Sequence, residues 1–377
     1  MLKTPLHSFH LEYSGQMVDF AGWEMPLRYG SVIEEHKQVR ASGGIFDVSH
    51  MGRVKMSGRH ARRLLERLCT RRISDMTTGQ CRYSLVCNEQ GGVKDDVIVY
   101  RMDEDDFLVV VNASNREKLL AHFEQVRAAG DMSVKIVDQT MSTAMIAVQG
   151  PKVMELVSTV SKEIPTLKRY RFTIKDLLII KLIVSRTGYT GEDGVEVILP
   201  ASAVGMAMKL LLKDVNMKEA QALLKPAGLA ARDTLRTEAA MPLYGHELGE
   251  DFNALSCGVD FAISMDKHTH ERGERFIGQD ALEKVIASGG SPIKLVGLEI
   301  DSKRAARQGF AVHHGGKGVG VVTSGCVSPT LNKSIAMARV PAALSAVGTE
   351  LQVDPGKGAD QVMAAKVVPM PFYKAPK

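Results

Sequence analysis

The sequence has few cysteines, and they form no recognisable pair. Its five cysteines are scattered over 377 residues and are never spaced as C-x-x-C. This usage argues against a disulfide framework or a zinc ribbon and is typical of reduced thiols. The histidine pairs His268/His270 and His313/His314 have no metal-binding pattern of cysteines or carboxylates beside them. We therefore predict no metal site.

Long apolar runs are also missing. The most apolar stretch, residues 177–184, contains Lys181 and is far shorter than the roughly 20 residues of a membrane-spanning helix. Aromatic residues make up only 5% of the chain. The glycine-rich segment at residues 314–320 has neither the dinucleotide-binding nor the P-loop spacing. The sequence therefore predicts no contact with a membrane and gives little support to nucleotide binding.

The composition, 45% apolar and 24% charged, is that of a globular protein of two or three domains. Residues 81–112 have the pattern of a three-stranded meander. Residues 177–184 and 195–199 resemble strands, whereas residues 219–224 and 229–240 have helical patterns. After about residue 280, short apolar runs separated by glycine and proline predict a small all-β domain. The predicted class is α+β with a β-rich carboxy-terminal domain.

Positive charge is concentrated in one segment, although the net charge is only +5. Between Arg53 and Arg72 there is one acid, Glu66. Two interpretations are open: a solvated helix face, or a docking surface for an acidic partner. Nucleic acid is disfavoured because no aromatic residue is interleaved. The basic residues of this segment are Arg53, Lys55, Arg59, Arg62, Arg63, Arg67, Arg71 and Arg72.

A glycine-rich turn precedes an acid in an apolar strand. Gly188, Gly191 and Gly194 lie within nine residues, which predicts a sharp turn. Glu196 follows inside the apolar run, where an unpaired charge would cost several kcal/mol. Its partner is either another side chain or a ligand with paired donors, such as a guanidinium or an amino-pyrimidinone edge.

Two consecutive acids, Asp95 and Asp96, stand at the start of a predicted strand. Alternation places Asp96 on one face with Ile98 and Tyr100, and Asp95 on the other. Both faces are otherwise apolar, so the pattern leaves open which acid lines a cavity. They are either turn-capping residues or include a desolvated carboxylate that takes up a proton or stabilises a developing cation.

The helical pattern at residues 229–240 carries two arginines on one face. Arg232 and Arg236 are four residues apart, and Asp233 can pair with Arg236. Either this is an ion network on the helix surface, or the arginines clamp an anionic ligand.

Motifs along the whole chain resemble those of the aminomethyltransferase, or T-protein, family of the glycine cleavage system. They occur in the family's order at residues 4–7, 19–26, 46–51, 91–96, 149–151, 188–196, 231–236, 243–245, 323–331 and 370–372. The resemblance implies an α+β, three-domain folate-binding fold with a barrel-like carboxy-terminal domain. It implies that residues 1–50 plus 140–228 form one domain, residues 51–139 plus 229–279 a second, and residues 280–377 the third.

The resemblance also implies an activity. The enzyme would transfer the methylene of the aminomethyl group on lipoylated H-protein to tetrahydrofolate, a co-substrate, with release of ammonia; neither a metal nor a flavin is expected. The family's key aspartate corresponds to Asp96, its pterin-facing acid to Glu196 and a folate-contacting arginine to Arg232. The other positions implied to contact folate are Tyr83, Tyr100, Asn112, Tyr170, Tyr189 and Met51, with Tyr373 in the tail.

Partner, location and rival functions follow from the same resemblance. Because H-proteins are commonly acidic, the basic segment is expected to help dock H-protein. Cys326 is more typical of eukaryotic relatives, which favours the mitochondrial matrix over the alternative, a bacterial cytoplasm. The rivals are a folate-binding scaffold without catalysis and a folate-dependent iron–sulfur assembly relative, although the K-G-C-Y-x-G-Q-E signature of the latter is absent.

Overall fold

A computed structural model describes residues 1–177, 180–213, 215–356, 358 and 361–376. The α+β class is confirmed, because helices and strands alternate up to residue 287 and a closed barrel follows. The helices are α1 (His7–Glu12), α2 (Val32–Ala41), α3 (Ala61–Leu68), α4 (Arg116–Ala129), α5 (Val153–Val160), α6 (Val204–Leu211), α7 (Leu229–Glu238) and α8 (Gln279–Ala287).

The strands form three sheets and the barrel. Their bounds are β1 (Leu2–Lys3), β2 (Gln16–Phe20), β3 (Trp23–Arg28), β4 (Gly44–Asp47), β5 (Gly52–Ser57), β6 (Cys81–Cys87), β7 (Val93–Asp103), β8 (Asp106–Val111), β9 (Lys135–Asp138), β10 (Thr143–Gln149), β11 (Phe172–Leu177), β12 (Ile180–Ser185), β13 (Gly194–Pro200), β14 (Lys225–Pro226), β15 (Ile293–Ile300), β16 (Ala311–His314), β17 (Lys317–Ser328), β18 (Lys333–Pro341), β19 (Glu350–Asp354) and β20 (Met363–Val368).

Two large sheets share one apolar layer. The first has the strand order β11-β12-β13-β10-β4-β14, and the second β6-β7-β8-β5-β9. The outer face of the first packs on α5 and α6, and that of the second packs on α3 and α4. The layer between them contains Phe46, Tyr100, Leu108, Ala147 and Ile198, with residues from both sheets. Side chains that point into this layer are therefore brought together from distant parts of the sequence.

The carboxy-terminal domain is a closed barrel in the order β15-β18-β17-β16-β19-β20, as expected for a β-rich domain. Helix α7 packs on α2, on β3 and on β17 of the barrel. It therefore connects the barrel to α2 and to the small sheet that contains β3. The sheets draw their strands from interleaved parts of the chain, and the domain boundaries given above remain a prediction.

Two local predictions were wrong. The apolar run at residues 177–184 is divided between β11 and β12, which pair antiparallel with Leu177 opposite Ile180; residues 178 and 179 lie outside the described part. Residues 219–224 form turns instead of a helix. Their carbonyls serve other partners, since Gln38 donates to Ala222 and Ser42 to Leu223. The residue before Pro226 is held extended and pairs with β4.

Candidate functional site

Asp96 points into the layer between the two large sheets. On β7, Val97 and Val99 pack with α3 and α4, whereas Ile98 and Tyr100 belong to the shared layer. The two-residue period places Asp96 on the same face as Ile98 and Tyr100. Geometry thus decides the choice that alternation left open: Asp96 faces the layer between the sheets, and Asp95 faces the helices.

Glu196 reaches the same layer from the first sheet. Its strand, β13, sends Val195 and Leu199 to the outer core and Ile198 to the shared layer. Glu196 lies opposite Ser185 on β12 and Ala147 on β10 and is only 5% exposed. The acid that was unexplained by the sequence therefore faces the second sheet.

A chain of hydroxyl groups holds one oxygen of Glu196. The Thr187 hydroxyl donates to Glu196 Oε2, and Ser185 Oγ lies 2.7 Å from Thr187 Oγ1. The Tyr100 hydroxyl lies 3.1 Å from Ser185 Oγ. Burial raises the pKa of Glu196, while the Thr187 hydrogen bond and the charge of Arg232 oppose that rise. The other oxygen, Oε1, makes no hydrogen bond within the described residues.

The hairpin between β12 and β13 is held by Gln149. The Gln149 amide donates to the carbonyls of Thr187 and Val195 at 3.2 Å. A Cβ added at Gly188 would lie 1.9 Å from Gln149 Oε1, so only glycine permits this approach. Gly191 adopts a φ of +83° at the tip. The glycines of the motif thus fix the path that places Thr187 beside Glu196.

Arg232 and Tyr189 close the site between the two acids. The Arg232 guanidinium lies 4.9 Å from the centre of the Tyr189 ring, and Glu196 is the largest favourable charge acting on Arg232. Burial raises the pKa of Tyr189, and the charge of Asp96 contributes to the rise. Asp96 therefore lies within electrostatic range of Tyr189, and Glu196 lies within range of Arg232, around one space.

Several polar atoms in this space lack a protein partner. Among the described residues, Arg232 Nη1 and the Tyr83 hydroxyl are buried without a hydrogen bond. Tyr83, Asp96, Tyr189 and Arg232 keep part of their surface accessible, although protein atoms surround each of them. Side chains that are surrounded by protein but still partly accessible line a concave site. The unpaired donors of Tyr83 and Arg232 in this site fit a ligand that carries hydrogen-bond acceptors.

The two neighbouring aspartates share one amide. Asn112 Nδ2 lies 2.8 Å from Asp95 Oδ1 and 2.7 Å from Asp96 Oδ1. Burial raises the pKa of both carboxyl groups, and repulsion between the two adds to the rise at Asp95. The Tyr83 hydroxyl is near enough to lower the pKa of Asp96, but it makes no hydrogen bond of ordinary geometry. The pair therefore retains a proton to higher pH than an isolated aspartate would.

The other predicted residues lie at different depths. Tyr170 is 47% exposed. Burial is the main cause that raises its pKa, and the charge of Glu196 nearby also raises it. Met51 is half-buried against the shared layer. Tyr100 was expected to line a channel, but it has no exposed surface. It is linked to Glu196 through the hydroxyl groups of Ser185 and Thr187. Tyr373 stacks on Arg40, with 4.0 Å between the guanidinium and the ring centre.

Sequence reasoning missed two groups of residues. His50 is buried beside Arg232; burial lowers its pKa to about 4, and its Nδ1 has no partner among the described residues. A buried ion network joins Arg40 to Glu192 and Glu238 at 2.8 Å each. His50 could have been found from the sequence, because it lies within the motif at residues 46–51. The ion network could not, because Arg40 is 152 residues from Glu192 and 198 residues from Glu238.

The basic segment is less uniform than its charge suggests. Arg53 has no exposed surface and donates to the carbonyls of Ser49, Met51, Thr140 and Thr143. Its inclusion in a docking surface was therefore wrong. Lys55, Arg63 and Arg72 pair with nearby acids. Arg59 and Arg67 make no side-chain hydrogen bond or ion pair within the described residues.

Arg236 also differs from the surface interpretation. It pairs with Asp233 at 2.8 Å as predicted, but it is 1% exposed. Its guanidinium also binds Glu247 at 2.9 Å and the barrel residue Ser324 at 2.7 Å. Thus Arg232 faces the site, whereas Arg236 fastens α7 to the barrel.

The described residues contain neither a helix that could span a membrane nor a cluster of side chains that could bind a metal ion. No helix there has the length and apolar character needed to cross a membrane. No group of three or more histidine, cysteine, aspartate or glutamate side chains in that part of the chain is placed to bind a metal ion. A cavity of about 1200 Å³ lies on the barrel near Glu299, His313 and Lys333, and none of the candidate residues lines it.

Known proteins match nearly the whole chain. The model of the GCVT N-terminal domain matches residues 6–267, and that of the glycine cleavage T-protein C-terminal barrel domain matches residues 294–374. The aminomethyltransferase of Rubrobacter xylanophilus is 45% identical, over 99% of this chain and 94% of its own. That of Bacillus subtilis is 40% identical, over 99% of this chain and 100% of its own.

A solved structure agrees with the sequence comparisons. The glycine cleavage system aminomethyltransferase T from Bartonella henselae superposes with a TM-score of 0.88 at 28% identity, covering 99% of this chain and 98% of that one. Both matched domains, the full-length relatives and the shared architecture lead to one assignment. The chain belongs to the aminomethyltransferase family of glycine cleavage T-proteins.

Proposed function

We propose that this chain transfers the methylene of the aminomethyl group on lipoylated H-protein to tetrahydrofolate. The products are ammonia, 5,10-methylenetetrahydrofolate and dihydrolipoyl-H-protein. The observation that carries the proposal is the convergence of Asp96 and Glu196, from different sheets, around a space bounded by Tyr189 and Arg232. Family membership supports the activity, and this convergence supplies the residues for it.

Glu196 and Arg232 are the proposed folate-binding pair. A pterin edge carries paired N–H donors, and Glu196 Oε1 is an acceptor without a protein donor among the described residues. Arg232 Nη1 is a buried donor without an acceptor there, which fits a carbonyl or carboxylate of the folate. Tyr83, Tyr189, Tyr170, Met51 and Asn112 would border the co-substrate. Tyr100 would act on Glu196 indirectly, through the hydroxyl groups of Ser185 and Thr187.

Tyr373 has a more distant proposed relation to the folate. Its ring covers Arg40, and Arg40 binds Glu192 in the hairpin that leads to Glu196. Any effect of Tyr373 on folate binding would therefore pass through the hairpin.

Asp96 is the proposed catalytic residue. When bound, tetrahydrofolate supplies the nitrogens that accept the methylene group, and positive charge develops as ammonia leaves. A fixed carboxylate at this point stabilises such charge, and one interaction of this kind is typically worth ~3–4 kcal/mol. Asp96 is held by Asn112 and faces the site, so it can also exchange a proton with the reacting groups.

H-protein docking is proposed at the exposed part of the basic segment. Helix α3 buries Leu64, Leu65 and Leu68, which turns the charged side chains outwards. Arg59 and Arg63 are exposed, and Arg62 and Arg67 are partly exposed. Their positive charges suit an acidic partner. The relatives reported above are bacterial and give no support to the mitochondrial matrix, so we propose a bacterial cytoplasm, the alternative considered above.

Ammonia release from aminomethylated H-protein tests the function. With tetrahydrofolate, the wild type is expected to release ammonia much faster than without it. Asp96→Asn should lower kcat by roughly 10²- to 10³-fold, because it removes the charge that stabilises the transition state. Asp301→Asn, an exposed change in the barrel, is the matched control.

The outcomes separate the candidate functions. Absence of folate dependence in the wild type would contradict the proposed reaction. Folate binding with no catalysed ammonia release would favour the scaffold without catalysis. A wild-type rate in Asp96→Asn would remove Asp96 from its assigned role.

A further inference from the structure

Asp95 has a hydrogen-bond environment unlike that of its neighbour. It has no exposed surface and lies on the face of β7 that is turned towards α4. Three N–H groups surround it: the Asn112 backbone at 3.0 Å, Asn112 Nδ2 at 2.8 Å and Asn115 Nδ2 at 2.7 Å. Three donors of this kind suit an ionised carboxylate and hold it in one orientation.

Asp96 has fewer donors. Within the described part of the chain, its carboxylate has only one hydrogen bond of ordinary geometry to another residue, from Asn112 Nδ2 at 2.7 Å. The same nitrogen therefore serves both carboxylates, one amide proton to each. Since two adjacent buried carboxylates do not both ionise readily, the negative charge settles where the donors are, on Asp95. On this donor count, Asp96, the member that faces the site, is the one that takes up or releases a proton while Asp95 stays ionised.

Asn112 is held by the same contacts. With its nitrogen directed to Asp95 and Asp96, its side-chain carbonyl points away from both acids. That oxygen accepts no hydrogen bond within the described residues. Rotation of the amide would place this oxygen against two carboxylates, which is repulsive. Asp95 therefore also determines which atom of Asn112 is presented to a ligand.

We propose that Asp95 is a positioning residue of the site, acting through Asn112 to fix the orientation and the protonation of Asp96. The proposal rests on the proposed function for its catalytic consequence, but not for the protonation itself. Asp95 touches no substrate in this arrangement. It adds a residue behind the site to those that face it.

The charged and titratable groups around the pair are few. The Tyr83 hydroxyl approaches Asp96 from β6, and the Tyr189 hydroxyl acts from the hairpin loop; burial raises the pKa of both, so both are neutral near pH 7. Lys94, beside Asp95 on β7, is paired with Glu250. Among these neighbours, Asp95 is therefore the anion whose removal should change the titration of Asp96 most.

Titration of the resting protein tests the proposal without any turnover. With ¹³C-labelled aspartate, the Asp96 carboxyl signal is followed against pH in the wild type and in Asp95→Asn. Removing the neighbouring charge should shift the Asp96 midpoint to lower pH by about one unit or more. An unchanged midpoint in a folded variant would overturn the proposal. If the midpoint shifts in Asp95→Asn but the wild type shows no folate-dependent ammonia release, the proposed function fails and the protonation proposal stands.

Kinetics then test whether Asp95 acts through Asn112. Asp95→Asn and Asn112→Ala should each lower kcat about tenfold or more and displace the acidic limb of its pH profile. The double variant should be no slower than the slower single variant, as expected for residues that act as a unit. Independent effects that multiply would overturn the proposed route. If Asp95→Asn does not fold, Asn112→Ala carries the test, and a wild-type pH profile there contradicts it.

Discussion

The buried network around Glu238 makes a prediction about stability that can be worked out from its contacts. Glu238 accepts from Arg40 Nη2 at 2.8 Å and from the Thr330 hydroxyl at 2.9 Å, and it lies 3.2 Å from His36 Nε2. Ser328 also donates to it. Burial alone would raise its pKa, but these partners, with His36 first, lower it from 4.5 to about 2. At about 1.4 kcal/mol per pKa unit, the charge contributes about 3 kcal/mol.

Glu238→Gln should therefore lower the free energy of unfolding by about 3–5 kcal/mol near pH 7. The new amide faces donors with its own N–H groups and leaves the Arg40 guanidinium with less compensating negative charge. Urea denaturation followed by the fluorescence of Trp23 measures the loss, because Trp23 is the single tryptophan and lies on β3, against which α7 packs. Glu299→Gln removes an exposed pair with Lys333 and should cost less than about 1 kcal/mol.

The pH dependence provides the refuting result. Because the folded-state pKa of Glu238 is depressed, its stabilisation is fully present above about pH 4.5 and is lost as the pH falls through about 2. The difference between wild type and Glu238→Gln should thus be constant from pH 6 to 7 and become smaller towards pH 3. A difference as large at pH 3 as at pH 7, or equal losses in Glu238→Gln and Glu299→Gln, would show that the charge is not the cause.

Two predictions concern ligand binding. Glu196→Gln should raise the KM for tetrahydrofolate roughly 10- to 100-fold, since a hydrogen bond to a charged group is worth about 1.5–3 kcal/mol. Steady-state kinetics at varied tetrahydrofolate concentration measure this change, with Glu350→Gln at an exposed position as the control. An unchanged KM would contradict the prediction. Combined Arg62→Glu and Arg63→Glu should raise the KM for H-protein several-fold at low salt, less at high salt, and leave folate binding intact. Glu274→Ala controls for the lost Arg63–Glu274 pair, and an unchanged KM for H-protein at low salt refutes the docking proposal.

Short-range patterns predicted part of the site. Alternation along β7 correctly grouped Asp96 with Ile98 and Tyr100, because the two-residue period of a strand is set by the backbone itself. The glycines at residues 188–194 likewise predicted the turn before Glu196, since their backbone path excludes a side chain at Gly188. Such features depend only on neighbouring residues, and the sequence contains all of the information they need.

Long-range partners were beyond the same reasoning. Arg53 stands among exposed basic residues in the sequence, yet its guanidinium is taken up by carbonyls at residues 140 and 143. The run at residues 177–184 has the composition of one strand, but the pairing of β11 with β12 divides it. The sequence alone does not distinguish Asp95 from Asp96. In the fold, Asn115, which lies 20 residues further along the chain, donates a hydrogen bond to Asp95. In each case burial is decided by a partner that no local pattern specifies.

The relative position of Glu196 and Arg232 depends on a fastening outside the site itself. Glu196 follows a hairpin whose tip carries Glu192, and Arg232 lies on α7, which ends at Glu238. Arg40 on α2 binds both of these distant acids at 2.8 Å. The hairpin and the helix are thus fixed to one guanidinium, whose buried, charge-assisted bonds resist relative movement. Because Ser328 and Thr330 also bind Glu238, the barrel is joined to the same point, and its contribution to the site is to hold α7 in place.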